Sequence, residues 1–306
     1  MTESEKKSLH LVGIGVTHSI AYAMHNHIAK SMNLPWTFYS TECETIEHVV
    51  ALARDPATAG LVVTMPYKNT VMRHLDELDE LALGIGACNN VYYKSSAPDR
   101  LACGTNTDWR GVKGCLLEKG DEQLRPTPES RGVGLVVGAG GASRAAVYAL
   151  TAQLHCHTVY ILNRDDQEVV DLIADAKKIT DAPVVHVKIL EQAQGLGSPY
   201  YVVGTVPDFE PQSEAEKTVA AMLNEFLSRP VKGVLLDMCF KPRRTRTIKL
   251  AEKLGWPCVE GTHVIGYQIE EQWRLWAGEA RIGKMDRKGA WDVLMAAADS
   301  SPGINF

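Results

Sequence analysis

The chain has 306 residues, 45% of them apolar and 23% charged, which excludes a chiefly disordered protein and suggests about two domains. With 32 Lys and Arg against 37 Asp and Glu, the formal net charge is −5, a poor match for a nucleic-acid partner. No stretch approaches the roughly 20 apolar residues of a bilayer-spanning helix, and Met-Thr-Glu-Ser-Glu-Lys-Lys leads into no secretory core, so no membrane partner and a cytoplasmic location are expected.

The first half alternates short apolar runs with helical patterns. Strands are expected over 9–16, 36–39 and 60–64, and helices over 21–32 and 45–53. Such alternation implies a parallel sheet with crossover helices. Residues 94–106, with Ser95, Ser96, Pro98 and Asp99, read as a hairpin or loop. A polar stretch over 118–131 separates this series from a second one. There, strands are expected over 134–137, 158–162, 184–187, 201–203 and 234–237, with helices over 142–154, 168–179 and 248–254. Two amphipathic helices, 264–278 and 287–299, close the chain. The layout is an α/β unit, a nucleotide-type α/β unit and a helical C-terminus that returns to the first.

The seven cysteines (Cys43, Cys88, Cys103, Cys115, Cys156, Cys239 and Cys258) are odd in number and form no C-x-x-C, which points to free thiols in a reducing compartment. His155-Cys156-His157 is the one dense cluster of metal-ligand types. It reads either as a metal site or as a plain strand start, and the strand reading is preferred, so no metal is expected.

The strongest local motif is Gly134-Leu-Val-Val-Gly138-Ala139-Gly140-Gly141-Ala142-Ser143-Arg144. An apolar strand runs into glycines and then into an alanine-rich helix. Gly138 permits a tight turn, Gly140 lets a pyrophosphate approach the backbone, and small Ser143 allows close helix–strand packing. The new helix aims its N-terminal N–H groups at the phosphate. This is a dinucleotide site; the alternative is a glycine turn that serves packing alone. The end of the next strand reads Asn163-Arg164-Asp165-Asp166-Gln167-Glu168. An Arg pairs with the 2′-phosphate of NADP, and a carboxylate accepts from the ribose hydroxyl of NAD. Arg164 points to NADP, whereas Asp165, Asp166 and Glu168 crowd it with negative charge and favour NAD.

Two segments of the first half carry candidate chemistry, Thr64-Met-Pro-Tyr-Lys68 and Asn106-Thr-Asp108, with Gly86-Ala-Cys-Asn89 between them. They follow apolar runs, where α/β sheets place ligand groups. Lys68 and Asp108 form either a catalytic pair or a surface salt bridge beside structural Asn turns.

Together with Thr17-His18-Ser19, Met24-His25-Asn26, the glycine loop, Asn163-Arg164, Asp237-Met-Cys-Phe240-Lys-Pro242 and Gly261 through Gln268, these blocks resemble the shikimate/quinate dehydrogenase family in order, from about residue 11 to about residue 278. The resemblance implies an α/β fold of two domains. A substrate domain would cover 1–112 and a Rossmann NAD(P) domain 113–261, with helices over 262–306 packing back on the first. It implies reversible hydride transfer between the alcohol and ketone of a cyclic polyhydroxy acid, with NAD preferred and NADP possible. Lys68 and Asp108 match the catalytic pair: the Lys68 amine takes the hydroxyl proton in oxidation, and Asp108 orients it. Thr64, Asn89 and Gln268 match ring-hydroxyl binders, and Ser19 a carboxylate binder. Gly138, Ala139, Gly140, Gly141 and Ala142 match the pyrophosphate loop. Asn163, Arg164 and Asp165 fall in the adenosine-ribose region, and Thr205, Met238 and Gly261 on the nicotinamide side.

The chain departs from the family pattern at Ala21 and Tyr22, where a second serine and a proline are usual, and at Phe240, where a tyrosine is usual. Each hydrogen bond lost to a charged carboxylate is worth roughly 1.5–3 kcal/mol. Tyr22 with its phenol, His18 or Thr17 is a candidate to replace one; the reshaped pocket favours a quinate-type enzyme, and the alternative is an enzyme of the same kind acting on a variant cyclic hydroxy acid. A tetrahydrofolate-linked dehydrogenase and a non-catalytic quinate or shikimate sensor share the architecture. The Asn106-Thr-Asp108 and Gln268 blocks argue against the first, and the presence of Lys68, Asp108 and the glycine loop against the second. His18 and His25 lie nearest the pocket by motif position and receive no catalytic role; Trp273 and Trp276 are expected in the core. A monomer or homodimer with no macromolecular partner is expected.

Overall fold

Apolar alternation at Leu9 and Leu11, continued by Val12, builds β1 (Lys7–Gly13), an interior strand of the first sheet. It is followed by α1 (Ala21–Ser31), β2 (Trp36–Glu42), α2 (Ile46–Arg54), β3 (Thr58–Val63), β4 (Glu77–Leu78), α3 (Glu80–Ile85), β5 (Asn90–Ser96) and β6 (Asp99–Thr105). The computed structural model describes residues 5–96, 99–130 and 132–306. Residues 1–4 of the opening heptapeptide, Ala97 and Pro98 of the expected hairpin, and Arg131 at the end of the polar stretch lie outside the described residues. Two compact units emerge, one of Met1–Thr107 with Ile265–Ile304, the other of Asp108–Val264 with the last two residues.

In the first unit the strand order is β2-β1-β3-β5-β6-β4 among the described residues. β1 pairs in parallel with β2 and β3, but β3–β5 and β5–β6 are antiparallel. The sheet is therefore mixed, not parallel as the alternation suggested, because β5 and β6 follow each other too closely for a crossover. Val12, Leu61, Val63, Val71, Ala82 and Val91 are fully buried beneath it.

The second unit contains α4 (Asp108–Glu118), β7 (Gly132–Val137), α5 (Gly141–Tyr148), β8 (Cys156–Leu162), α6 (Asp166–Ala176), β9 (Val184–His186), α7 (Leu190–Gly195), β10 (Tyr201–Gly204), α8 (Glu214–Ser228), β11 (Val234–Asp237), α9 (Arg246–Lys253) and β12 (Cys258–Glu260). α5 runs on through a π-helical turn at Ala149–Gln153. Every pairing in this sheet is parallel, in the order β12-β11-β10-β7-β8-β9. Counted from β7, that is the 3-2-1-4-5-6 order of a doubly wound dinucleotide fold, with the switch point between β7 and β10. Cys156 opens β8 with its side chain buried, whereas His155 and His157 beside it are exposed. The Cys156 thiol thus turns away from the two imidazoles into the core, and burial pushes it up to about 12. All seven cysteines are free thiols.

α10 (Thr262–Ala277), α11 (Glu279–Ile282) and α12 (Arg287–Ser300) complete the chain. From Ile265 to Ile304 they belong to the first unit. Both expected core tryptophans are buried there: Trp273 Nε1 donates to His25 Nδ1 at 3.0 Å, and Trp276 Nε1 donates to the Val91 carbonyl at 3.0 Å. His25 also stacks on Phe38, with ring centroids 4.2 Å apart. It is a structural residue, and full burial drives it down from 6.5 to about 3, so it is neutral in the folded state.

A depressed histidine makes stability fall as pH drops below 6.5, because the unfolded chain takes up a proton that the folded one refuses until about pH 3. Urea denaturation is expected to lose on the order of 1–2 kcal/mol from this residue between pH 7 and pH 5. His25→Gln removes that part of the slope; an unchanged slope contradicts the assignment.

Candidate functional site

In the first unit, backbone hydrogen bonds draw four loops to one edge of the sheet. Thr64 N donates to Val12 O at 2.9 Å, Val63 N to Asn89 O at 2.8 Å, Asn89 N to Thr105 O at 3.1 Å, and Cys88 N to Lys68 O at 2.7 Å. Thr64 and Lys68 therefore share one turn, closed by Tyr67 N on Thr64 O at 3.0 Å and braced where the buried Tyr67 hydroxyl donates to Cys43 O at 2.9 Å. Both are half-buried.

Asn89, Thr107 and Gln268, far apart in sequence, form a buried polar knot. Asn89 Oδ1 accepts from Thr107 N at 2.6 Å, and Asn89 Nδ2 donates to Gln268 Oε1 at 2.8 Å. The Thr107 hydroxyl donates to the same Gln268 oxygen at 2.6 Å, and Gln272 Nε2 reaches Thr107 Oγ1 at 3.3 Å. The Gln268 carbonyl thus faces protein donors, which sets the direction of its amide group. Asp108, buried, follows Thr107 directly as the first residue of α4 and falls in the second unit.

The loop after β1 carries Ser19, whose buried hydroxyl accepts from Ala21 N at 3.3 Å. Glu42, at the end of β2, fixes this loop by accepting from Gly15 N and from Val16 N, the latter at 3.0 Å. Tyr22 sits in the first turn of α1 and is 51% exposed.

In the second unit the glycine loop lies at the switch point. Gly138 has φ +117°, and a Cβ there would collide with the Thr205 hydroxyl. That hydroxyl donates to Val137 O at 2.8 Å and sits 2.7 Å from Ser143 Oγ, tying the turn to the end of β10. Arg144 braces the loop from below, donating to Ala139 O and to Asp175, each at 2.8 Å. Gly140 is exposed with open space over its Cα, and the first turn of α5, beginning Gly141-Ala142, carries no acidic residue. An open glycine before an uncapped helix start suits a pyrophosphate.

At the end of β8, Asn163 Nδ2 donates to Glu168 at 2.9 Å, and Asp165 caps α6 by accepting from Gln167 N and Glu168 N. Arg164 is ion-paired to Glu216 at the start of α8. Met238 and Gly261 meet, since a Cβ on Gly261 would strike the Met238 carbonyl. Beside them Asp237 is buried and accepts from Thr245 Oγ1 at 2.7 Å and Cys239 N at 3.2 Å; burial raises its carboxyl to about 6.

Thr107, Gln272, Glu42 and Glu216 are not among the residues expected from the sequence. The pair Gln268 and Gln272, four apart in an otherwise apolar helical pattern, was the available signal for Gln272. A family model described as the shikimate dehydrogenase substrate binding domain matches residues 11–91. A quinate dehydrogenase of Emericella nidulans is 31% identical over 292 residues, covering 88% of this chain and 87% of that protein. The chain belongs to the shikimate/quinate dehydrogenase family. Among solved structures, the dehydroquinate dehydratase and shikimate dehydrogenase from S. pombe AroM superposes with a TM-score of 0.73 at 27% identity, over 96% of this chain and 53% of that one. The quinate dehydrogenase from Corynebacterium glutamicum in complex with NAD shares the fold, with a TM-score of 0.74 at 20% identity over 95% of this chain and 100% of that one.

Thr107→Val removes a buried donor and acceptor together while leaving Asn89 and Gln268 in place. Urea unfolding is expected to show a loss of about 1–3 kcal/mol, with Thr107→Ser close to wild type. Equal behaviour of the two variants contradicts the role of the hydroxyl.

Proposed function

We propose that the protein is an NAD(P)-dependent oxidoreductase that interconverts quinate with 3-dehydroquinate, or shikimate with 3-dehydroshikimate. The first unit binds the polyhydroxy acid and the second the dinucleotide. The observation that carries this reading is the Asn89–Thr107–Gln268 knot, a set of oriented amide and hydroxyl groups on the same sheet edge as the Thr64–Lys68 turn. Amides held this way recognise ring hydroxyls, because each presents a donor or acceptor in a fixed direction.

Oxidation takes a hydride from a ring carbon and a proton from its hydroxyl. When bound, the nicotinamide supplies the hydride acceptor. Lys68 takes the hydroxyl proton in oxidation and returns it in reduction. Asp108 accepts a hydrogen bond from the reacting or the neighbouring hydroxyl. Thr64, Asn89 and Gln268 hold the remaining hydroxyls, and Ser19 holds the carboxylate with the phenol of Tyr22, which is exposed at the head of α1. Ala21 and Phe240 leave that carboxylate end short of the usual hydroxyls, which favours quinate over shikimate. Gly138 through Ala142 hold the pyrophosphate, Asn163 and Asp165 the adenosine ribose, and Thr205, Met238 and Gly261 the nicotinamide side. The acidic surroundings of Arg164 favour NAD. Seven free thiols support a reducing, cytoplasmic setting.

Lys68→Met is expected to lower kcat for quinate oxidation by a factor of about 10²–10⁴, followed as reduced-cofactor absorbance, with the thermal melt unchanged. Near-normal turnover would remove Lys68 from the mechanism.

A further inference from the structure

The ion pair between Arg164 and Glu216 joins the loop after β8 to the first turn of α8, 52 residues away. Arg164 stands two residues past β8, where this fold meets the adenosine ribose. We infer that Glu216 is a specificity-determining residue for the cofactor: its carboxylate holds Arg164 and withholds the guanidinium from a ribose 2′-phosphate. This rests on the reading that the glycine loop binds a dinucleotide.

Glu216 is the fixed partner of the pair. It is the third residue of α8, and its Oε2 accepts from Gln212 N at 2.9 Å and from Ser213 N at 3.0 Å, while the Ser213 hydroxyl accepts from Glu216 N at 3.3 Å. Such a capping box anchors the carboxylate to the backbone. Its Oε1 remains turned to Arg164, whose side chain is 67% exposed against 26% for Glu216. The backbone donors and Arg164 hold the acid down to about 2, so it is charged throughout the physiological range. An exposed ion pair is ordinarily worth little because two long side chains must be ordered. Here one of them is already ordered by the helix cap, so only Arg164 gives up freedom.

The surroundings add to the effect. Asn163 is engaged by Glu168, Asp165 is turned into the cap of α6, and Asp166 is paired with Lys188 at 2.7 Å. A 2′-phosphate entering here meets carboxylates and finds the Arg164 guanidinium already bound. A 2′-hydroxyl needs no cation, so the pairing of Arg164 with Glu216 takes nothing from it. None of this was visible in the arginine alone, which by itself points to NADP.

The test uses the full chain and calorimetric titration with ADP-ribose and 2′-phospho-ADP-ribose, so that no turnover is required. Glu216→Gln keeps a capping side chain at the same helix position. It is expected to raise affinity for 2′-phospho-ADP-ribose about tenfold while leaving ADP-ribose within about twofold. The gain disappears when Arg164→Gln is added. Glu214→Gln removes the same charge from the first turn of α8, where Glu214 pairs with Lys217 and not with Arg164, and it gives no such gain. No gain in Glu216→Gln, an equal gain without Arg164, or an equal gain in Glu214→Gln overturns the inference while ADP-ribose still binds. If neither probe binds wild type or variant, the dinucleotide reading itself fails and takes the inference with it.

Discussion

A single buried hydroxyl, that of Thr107, ties together the polar knot of the first unit. It donates to Gln268 and receives from Asn89 and Gln272, joining the start of β5, the end of β6 and α10. These groups are shut away from water, so each satisfies the others or pays the full desolvation cost of an unmade bond. That requirement brings residues 89, 107 and 268 into one arrangement and sets the directions in which their amides point. The Lys68 turn is placed by a backbone bond to Cys88, the residue beside Asn89. The arrangement proposed to meet a ring of hydroxyls is thus set by the same constraint that folds this part of the chain.

The second unit solves a different problem with backbone instead of side-chain amides. A parallel sheet whose strand order reverses between β7 and β10 leaves a crevice at the strand ends, and the glycine loop lies there. Thr205, Ser143 and Arg144 are occupied with fixing that loop. What distinguishes one dinucleotide from another lies further out, in charges at the ends of β8 and α8. Glu216 shows how a helix cap, a device of local stability, also places a charge.

Much of this was legible in the residues. The glycine loop declared a strand, a turn and a helix in eleven positions, and its context is as expected. The family blocks were read in order, from Ser19 to Gln268. The π-helical extension of α5, the mixed first sheet and helices α4 and α8 were not read. In α4, Gly111 and Gly114 weaken the helix signal, and burial of Trp109, Val112, Cys115 and Leu116 overrides it. In α8 the signal was present, since Ser213 and Glu216 have the capping-box spacing. Contacts such as Arg164 with Glu216 depend on where a loop and a distant helix start come together, and local pattern carries no information about that.

In the proposed reaction a ring alcohol of the bound acid gives up its carbon-bound hydrogen as hydride. Quinate deuterated at the oxidised ring carbon, incubated with the protein and NAD and followed by mass spectrometry of the cofactor, tests it directly. One deuterium is expected on the nicotinamide ring for each molecule of ketone formed, with turnover slowed relative to unlabelled quinate. Ketone formed without label on the cofactor, or no reaction with quinate or with shikimate labelled in the same way, would contradict it.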